Sequence, residues 1–492
     1  MIWHIRRIAV WVWLAATASV QVFPDQLRAS GLSSTQAQAQ TRQSPRPASA
    51  AVAAGPGSAA DPASAGSLSP YAGPVVRGVA THTIAGRVLC GYQGWFGTPG
   101  DGYDEHGWHH WTRRNGTPSD GNVTVDLWPD LSEFGPNERF DTDLKLADGR
   151  PAQVFSSYQK PTVLRHFQWM RDYGIDGAFV QRFIGGLRSP RARQRCNTVL
   201  AHCREGANRY GRAYAVMYDL TGLGRGRMVE VMTDWRALRK QALITEDPAY
   251  LHHRGKPVVA VWGIGFDDGR DYTLAECQEL IKFLKTDPEV GGCTVMLGVP
   301  AHWRQLQADA IPDPALLDVL RLADVISPWT VGRYTDSAGA AQYAETLLKP
   351  DQAWCRARDI DYLPVVFPGF SWHNLKGGAL NQIPRRHGDF LWAQFLQATR
   401  AGVSMLYVAM FDELDEGTAV FKCTSNVPAG RASKFVTYEG LPSDYYLKLV
   451  GAGARMLRGE IPPAEFPPRL ENLDHELSGG SGDANPINDA SH

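Results

Sequence analysis

Between residues 85 and 460, short apolar runs alternate with longer amphipathic segments. Eight of these runs are nearly continuous in apolar residues and rich in Val, Leu, Tyr or Phe. Such runs are typical of parallel strands that are covered on both faces. We predict the eight strands at Arg87–Trp95, Gly177–Phe183, Ala213–Asp219, Pro257–Gly263, Thr294–Val299, Val325–Trp329, Tyr362–Phe367 and Ser404–Phe411.

The segments between these strands contain helix signals. Pro161 can open a helix that Gly174 can close, because proline suits the first helical turn and glycine suits the position after the last. Thr273 and Glu276 have the spacing of a capping box. Asp313-Pro314 has the pattern of an N-cap followed by a first-position proline. Further helices are predicted at Arg191–Tyr210, Arg227–Ala242, Asp389–Ala401 and Ser443–Leu457.

Eight strands alternating with helices predict an α/β fold, a (β/α)8 TIM barrel formed by a single catalytic domain. The alternative is an open, doubly wound sheet. A nucleotide-binding sheet of that kind has a glycine-rich loop after its first strand, and this chain has none there. The pattern therefore favours the closed barrel.

The two ends of the chain have a different composition from the barrel region. Arg6 and Arg7 precede an apolar run, and small residues follow it, which is the layout of a secretory signal that is too short to span a bilayer. We predict a signal region at 1–39, a linker rich in Ala, Pro and Ser at 40–75, the barrel at 76–465 and a disordered tail at 466–492. This predicts a secreted or periplasmic protein with no stable membrane insertion after cleavage.

Charge and cysteine content exclude some classes of function. The 492 residues have a formal net charge of −1, which provides no electrostatic case for binding nucleic acid. The seven cysteines leave at least one free thiol, and we expect Cys277 and Cys293 to form a disulfide. A pair at i and i+7 of a helix, Cys196 and Cys203, lies too far apart for a bridge. No Cys/His spacing indicates zinc, and we expect neither a metal nor a cofactor.

Aromatic residues recur where the predicted strands end. The active site of a (β/α)8 barrel lies at these carboxyl ends. Flat aromatic faces suit the C–H faces of sugar rings, and the polar side chains among them suit hydroxyl groups, so the set predicts a carbohydrate site. The alternative is that the tryptophans only fill the top layer of the barrel. The predicted substrate-binding residues are Tyr92, Trp95, His110, Trp111, Arg182, Asp219, Trp329, Trp372 and Asp412.

Four carboxylates lie within five residues directly after the last predicted strand, in the segment Phe411–Thr418. Like charges at such density repel each other, which raises pKa values and costs stability. A cluster of this kind at the end of an apolar strand indicates proton transfer or cation binding.

The acid segment resembles a motif of glycoside hydrolase family 99, which shares a clan with family 71. In family 99 the sequence Glu-x-x-Glu-Gly-Thr follows the last strand of a (β/α)8 barrel, and residues 413–418 match it. The run Gly91–Phe96 and the loop Trp108–Trp111 are similar in character to the aromatic-rich first strand and loop of that family. The likeness spans most of residues 85–460, although family members usually carry tryptophan at the position of Leu414.

The resemblance implies a glycosidase that acts on an α-linked polysaccharide or glycan. In that family the first glutamate is a base towards the substrate's 2-hydroxyl, which attacks the anomeric carbon. The second glutamate protonates the leaving oxygen and then activates water. By resemblance these are Glu413 and Glu416, and the reaction retains the anomeric configuration. The chemistry also requires two carboxyl groups in different protonation states.

Three alternatives stay open from the sequence. Asp412 and Asp415 have the same three-residue offset and form a rival catalytic pair. A non-catalytic glycan-binding barrel would keep the aromatic cleft. A calcium site would use all four acids, but their spacing lacks the alternating ligands and central glycine of a calcium loop.

Overall fold

In the computed structural model, residues 68–103, 107–114 and 116–473 are described. Their strands are β1 Val88–Tyr92, β2 Phe140–Lys145, β3 Pro151–Val154, β4 Gly177–Phe183, β5 Ala213–Asp219, β6 His252–His253, β7 Lys256–Trp262, β8 Thr294–Pro300, β9 Val325–Trp329, β10 Asp361–Tyr362, β11 Val365–Val366 and β12 Leu406–Val408. The α-helices are α1 Lys160–Asp172, α2 Pro190–Tyr210, α3 Val229–Lys240, α4 Leu274–Thr286, α5 Ala315–Leu320, α6 Ser337–Tyr343, α7 Lys349–Arg356, α8 His373–Lys376, α9 Asp389–Arg400 and α10 Tyr445–Leu457.

The parallel strands close into a barrel. The hydrogen-bonded order is β10-β9-β8-β7-β5-β4-β1-β12-β11. β10 pairs with β9, and β11 pairs with β12, yet both belong to the single segment Asp361–Val366. The described residues therefore form a ring of eight strand segments, which excludes the open sheet. The (β/α)8 prediction is confirmed.

Two glycines allow large side chains to meet inside the barrel. A Cβ atom on Gly91 of β1 would lie 2.0 Å from the Tyr407 hydroxyl, and one on Gly298 of β8 would lie 2.4 Å from the Trp262 ring. Because these positions have no side chain, residues of the two flanking strands come into contact across each of them. Gln181 Nε2 reaches the Tyr407 hydroxyl at 3.3 Å.

The predicted elements match the structure closely in the middle of the chain. The predicted bounds of β4, β5 and β9 are those observed, and helix α2 begins one residue before its prediction. The capping box of α4 is present, with Thr273 accepting from the Glu276 amide. The last strand is shorter than predicted, because the chain leaves the sheet after Val408 and bends into the acid segment.

The long connection between β1 and α1 contains structure that the sequence analysis missed. It includes the antiparallel hairpin of β2 and β3, and isolated bridges join Gly97 to His109 and Thr112 to Val123. Further bridges join this connection to the region after the acid segment, at Pro129–Cys423 and Lys145–Ala429. The connection thus lies over one side of the barrel mouth.

The expected disulfide is wrong. Cys277 and Cys293 are both free and buried, and the other five cysteines are also free. Cys277 lies on the core face of α4, while the Cys293 thiol contacts the carbonyl of Val290. The two residues behave as small apolar core residues. Cys196 and Cys203 are unbridged, as the helix geometry predicts.

The signal region, most of the linker and most of the tail lie outside the described residues. The domain makes contacts before its predicted start at residue 76. Arg204 of α2 donates to the Ser69 carbonyl at 2.6 Å and lies over the Tyr71 ring. No helix in the described part of the chain is long and apolar enough to cross a membrane.

Candidate active site

The acid segment forms a tight loop at the carboxyl end of β12. The amides of Thr418 and Ala419 both donate to the Glu413 carbonyl, at 3.2 and 2.9 Å. The Val420 amide returns to the Met410 carbonyl at 3.0 Å. Leu414 is fully buried, so the loop is anchored to the core between its two glutamates. This backbone holds the acids at the barrel mouth.

Glu413 and Glu416 are the two acids of this loop that act as one electrostatic unit. Burial raises the pKa of Glu413, and the neighbouring Glu416 and Asp415 raise it further. Burial also raises the pKa of Glu416, and the neighbouring Asp415 raises it by a smaller amount. Because two close carboxylates resist ionising together, the pair holds a proton at pH values where an isolated glutamate would have lost it.

The surroundings of the two glutamates differ. The Gln93 side chain lowers the pKa of Glu413, and the Thr418 hydroxyl lies 3.4 Å from its Oε2. Both contacts favour its ionised form. Glu416 is partly exposed, and the Trp372 indole lowers its pKa without reaching regular hydrogen-bond geometry at Nε1. Glu416 is therefore the acid of the pair that is open to a ligand, while Glu413 is buried.

Asp412 faces away from the mouth. Its carboxylate accepts the amides of Gln93 and Gly94 at 2.7 and 2.9 Å, and it is fully buried. Burial raises its pKa to about 7. Both oxygens are engaged by the end of β1, so the predicted role of Asp412 in substrate binding is replaced by one in fixing that strand end. In the rival pair of Asp412 and Asp415, the carboxylate of Asp412 is therefore not available to a substrate.

A stack of rings forms one wall of the mouth. Trp95 lies between His110 and Phe183, with ring centroids 4.0 and 5.0 Å away. His110 Nδ1 lies 3.5 Å from Asp415 Oδ2. The predicted residues Trp95 and His110 are thus brought to the acid segment, and both are partly exposed.

The opposite wall contains two more partly exposed tryptophans. Trp262 at the end of β7 and Trp329 at the end of β9 meet edge to face at 5.5 Å. Asp219 of β5 is paired in register with Trp262 and raises the pKa of Glu416. The predicted residues Asp219 and Trp329 therefore lie at the mouth. Trp372 approaches from the segment after β11, beside Glu416.

Several polar atoms around the mouth are buried and have no partner among the described residues. These atoms are Gln93 Oε1, Trp95 Nε1, Gln181 Oε1, Trp262 Nε1, Trp372 Nε1 and Asp415 Oδ1. Leaving such atoms unpaired costs free energy. They supply both donors and acceptors, which a ligand with many hydroxyl groups can satisfy.

Two predicted substrate-binding residues, Tyr92 and Arg182, are corrected by the strand face on which they lie. Tyr92 is buried against α1, where its hydroxyl lies 2.9 Å from His166 Nδ1. Arg182 is buried in an ion pair with Asp234 of α3. Each lies on the outer face of its strand, because neighbouring strand residues point to opposite faces.

Trp111 is corrected for a different reason. It is fully buried, its Nε1 donates to the Phe155 carbonyl at 3.2 Å, and its ring packs on Phe96 at 4.4 Å. Trp111 therefore belongs to the hydrophobic core beneath the long β1–α1 connection.

Sequence reasoning missed Gln93, Gln181 and Trp262 as members of the site. The usable signal was the period of two along each strand, since Gly91 and Gln93 share one face and Tyr92 lies on the other. The same period selects Gln181 over Arg182.

The described residues include no group of three or more His, Cys, Asp or Glu side chains arranged to hold a metal ion. The four clustered acids instead have separate partners: Asp412 binds backbone amides, and Asp415 lies beside His110. This geometry does not support the calcium alternative.

Comparison with solved structures identifies similar barrels. The family 99 endo-α-mannosidase from Bacteroides thetaiotaomicron aligns with a TM-score of 0.55 and 15% identity, covering 77% of this chain and 99% of that chain. Its complex with bis-tris-propane gives the same TM-score and identity, covering 77% and 100%. Protein-family models and curated protein sequences give no match. At this identity the likeness shows the fold, so the resemblance seen in the acid segment extends to the backbone of the whole barrel.

Proposed function

We propose that this protein is a glycoside hydrolase that cleaves an α-linked polysaccharide or glycan. The single observation that carries the proposal is the pair Glu413 and Glu416, whose pKa values are both raised by burial and neighbouring acids, at the mouth of a (β/α)8 barrel between walls of aromatic rings. Acid and base roles need two carboxyl groups with different protonation at one pH.

In the proposed mechanism Glu413 takes the proton of the substrate's 2-hydroxyl. That oxygen attacks the anomeric carbon as the glycosidic bond breaks, and Glu416 protonates the leaving oxygen. Glu416 then removes a proton from water, whose oxygen attacks the anomeric carbon and breaks its bond to the epoxide oxygen. Glu413 gives its proton to that oxygen and so restores the 2-hydroxyl. Two inversions at one carbon give net retention. Glu413 is assigned as the base, and Glu416 as the acid, through their places in the Glu-x-x-Glu-Gly-Thr match.

The substrate is bound, in this proposal, by ring faces and by unpartnered polar atoms. Trp95, Trp262 and Trp329 offer flat apolar surfaces, and Gln93 and Gln181 offer amide oxygens to hydroxyl groups. We propose an α-linkage because the chain matches the Glu-x-x-Glu-Gly-Thr motif of family 99 and shares the fold of a family 99 endo-α-mannosidase. The N-terminal sequence supports secretion or export to a periplasm, where polysaccharides are available.

The proposal is tested by offering the protein α-mannans, α-1,3-glucans and pentose-containing glycans, with identification of the released products. We expect hydrolysis of at least one class, and no hydrolysis by Glu413→Gln or Glu416→Gln. Binding of a glycan without cleavage by the wild-type protein would contradict the proposal and favour a glycan-binding barrel.

A further inference from the structure

Asp126 ties together three loops of the barrel mouth. It is fully buried within the connection after β1. Its carboxylate accepts the Ser371 hydroxyl and the amides of His373 and Asn374, the latter two at 2.7 Å each. Its own amide donates to the Leu414 carbonyl at 2.9 Å. One residue thus joins the β1 loop, the segment after β11 and the acid segment.

Trp372 lies between two of the residues that Asp126 holds. Ser371 precedes it and His373 follows it, so its backbone is fixed on both sides. The Ser371 amide also donates to the Glu416 carbonyl at 2.9 Å. The Trp372 side chain lies beside the carboxyl of Glu416 and lowers its pKa, although Nε1 makes no hydrogen bond of regular geometry with the described residues. A continuous path of contacts therefore runs from Asp126 to the group proposed as the general acid.

We infer that Asp126 is a positioning residue, which holds Trp372 against Glu416 without contacting substrate itself. This inference rests on the proposed function, because it names the task of the contact in that reaction. The general acid must keep its orientation while its charge changes, and a buried anchor of several hydrogen bonds supplies that rigidity.

The site requires a carboxylate at position 126. Three donors converge on the two oxygens of Asp126, whereas an asparagine has one oxygen and would turn an NH2 group towards N–H or O–H donors. Burial raises the pKa of Asp126 to about 6, and the three donors counteract this effect. At neutral pH the carboxylate is ionised and can accept all three bonds.

Asp120 provides a matched control. It lies in the same connection after β1, and it accepts the amides of Arg431, Ala432 and Ser433 at 2.7–3.2 Å. Those residues do not flank Trp372 or Glu416. Asp120→Asn therefore removes a comparable set of loop contacts while leaving the path to Glu416 in place.

The first experiment follows the Trp372 indole N–H resonance by NMR, with its assignment taken from Trp372→Phe. In the wild-type protein we expect the resonance to shift with pH as Glu416 ionises, and Glu416→Gln should abolish that shift. Asp126→Asn should reduce the shift by at least half, while Asp120→Asn should leave it unchanged. An undiminished shift in Asp126→Asn would overturn the inference. This readout needs no turnover, so it stands even if the proposed function fails.

The second experiment is a double-mutant cycle on kcat. We expect Asp126→Asn to lower kcat roughly tenfold with little change in KM, and Asp126→Asn/Trp372→Phe to be no slower than the slower single variant. Fully multiplicative effects would overturn the inference. If Asp126→Asn does not fold, Ser371→Ala removes one of the three bonds and should give the same effects at smaller size. A wild-type protein that turns over no glycan would refute the proposed function instead.

Discussion

Two rows of side chains at the strand ends have opposite tasks although they alternate along the same strands. The inner row comprises Gln93, Gln181, Asp219, Trp262 and Trp329, which surround the acid segment. The outer row comprises Tyr92, Arg182 and Tyr218, which bind side chains of the surrounding helices. Residue type does not separate the rows, since both contain aromatic and polar groups. Position along the strand separates them, because one step reverses the direction of a side chain.

The largest effect is expected for the acids that the inner row surrounds. Glu413→Gln and Glu416→Gln should each lower turnover by ~100-fold or more, since general acid or base catalysis typically contributes that much. Both variants should keep the wild-type circular dichroism spectrum. Asp415→Asn is the control variant in the same loop. If either glutamate variant kept near-normal turnover while Asp415→Asn were inactive, the assignment of Glu413 and Glu416 as the catalytic pair would be wrong.

Substitutions in the outer row should lower the stability of the fold and leave the catalytic rate nearly unchanged. Arg182→Met leaves the buried Asp234 without its cation, which typically costs about 3–5 kcal/mol. The free energy of unfolding is measured in urea, and turnover is measured well below the melting temperature. We expect a strongly destabilised protein with nearly normal kcat. A stable variant that has lost substrate affinity would move Arg182 into the site.

The tryptophans allow the same comparison with one residue type. Trp111→Ala should cost about 3–5 kcal/mol of stability, because it removes a fully buried ring. Trp262→Ala should lose less stability, because Trp262 is partly exposed. Its affinity for an oligosaccharide should fall roughly tenfold, which corresponds to about 1.4 kcal/mol. Affinity for an oligosaccharide is measured in the Glu416→Gln background. Equal affinity losses for both variants would remove the distinction between the core Trp111 and the site residue Trp262.

The smallest effect is a gain of stability at the site itself. The folded-state pKa of Glu416 is raised above that of the unfolded chain, so the folded protein holds more protons between the two values. The contribution of protonated Glu416 to the stability of the fold is present at low pH and is lost as pH rises through the raised pKa. Glu416→Gln should therefore melt at a higher temperature than the wild-type protein at pH 8, and the difference should vanish near pH 4. A lower melting temperature at pH 8 would show that the ionised acid stabilises the fold.

The sequence predicts the barrel well because its strands are covered on both faces and read as apolar runs. It also locates the acid segment, through the density of its carboxylates, and the resemblance to family 99 selects Glu413 and Glu416 within that segment. It does not distinguish Trp95 from Trp111, because the burial of Trp111 depends on the fold of the long connection after β1. The contacts of Asp126 with residues 371–374 join parts of the chain about 245 residues apart, and no local sequence pattern predicts such contacts.

The chemical roles within the pair can be separated by changing the leaving group. An aryl glycoside with a leaving group of low pKa needs little help from an acid but still needs the base. We expect Glu416→Gln to release the aryl group in a rapid first turnover at a rate near that of the wild-type protein, while Glu413→Gln stays inactive on the same substrate. Rescue of Glu413→Gln, or failure to rescue Glu416→Gln, would contradict the assignment of Glu413 as base and Glu416 as acid.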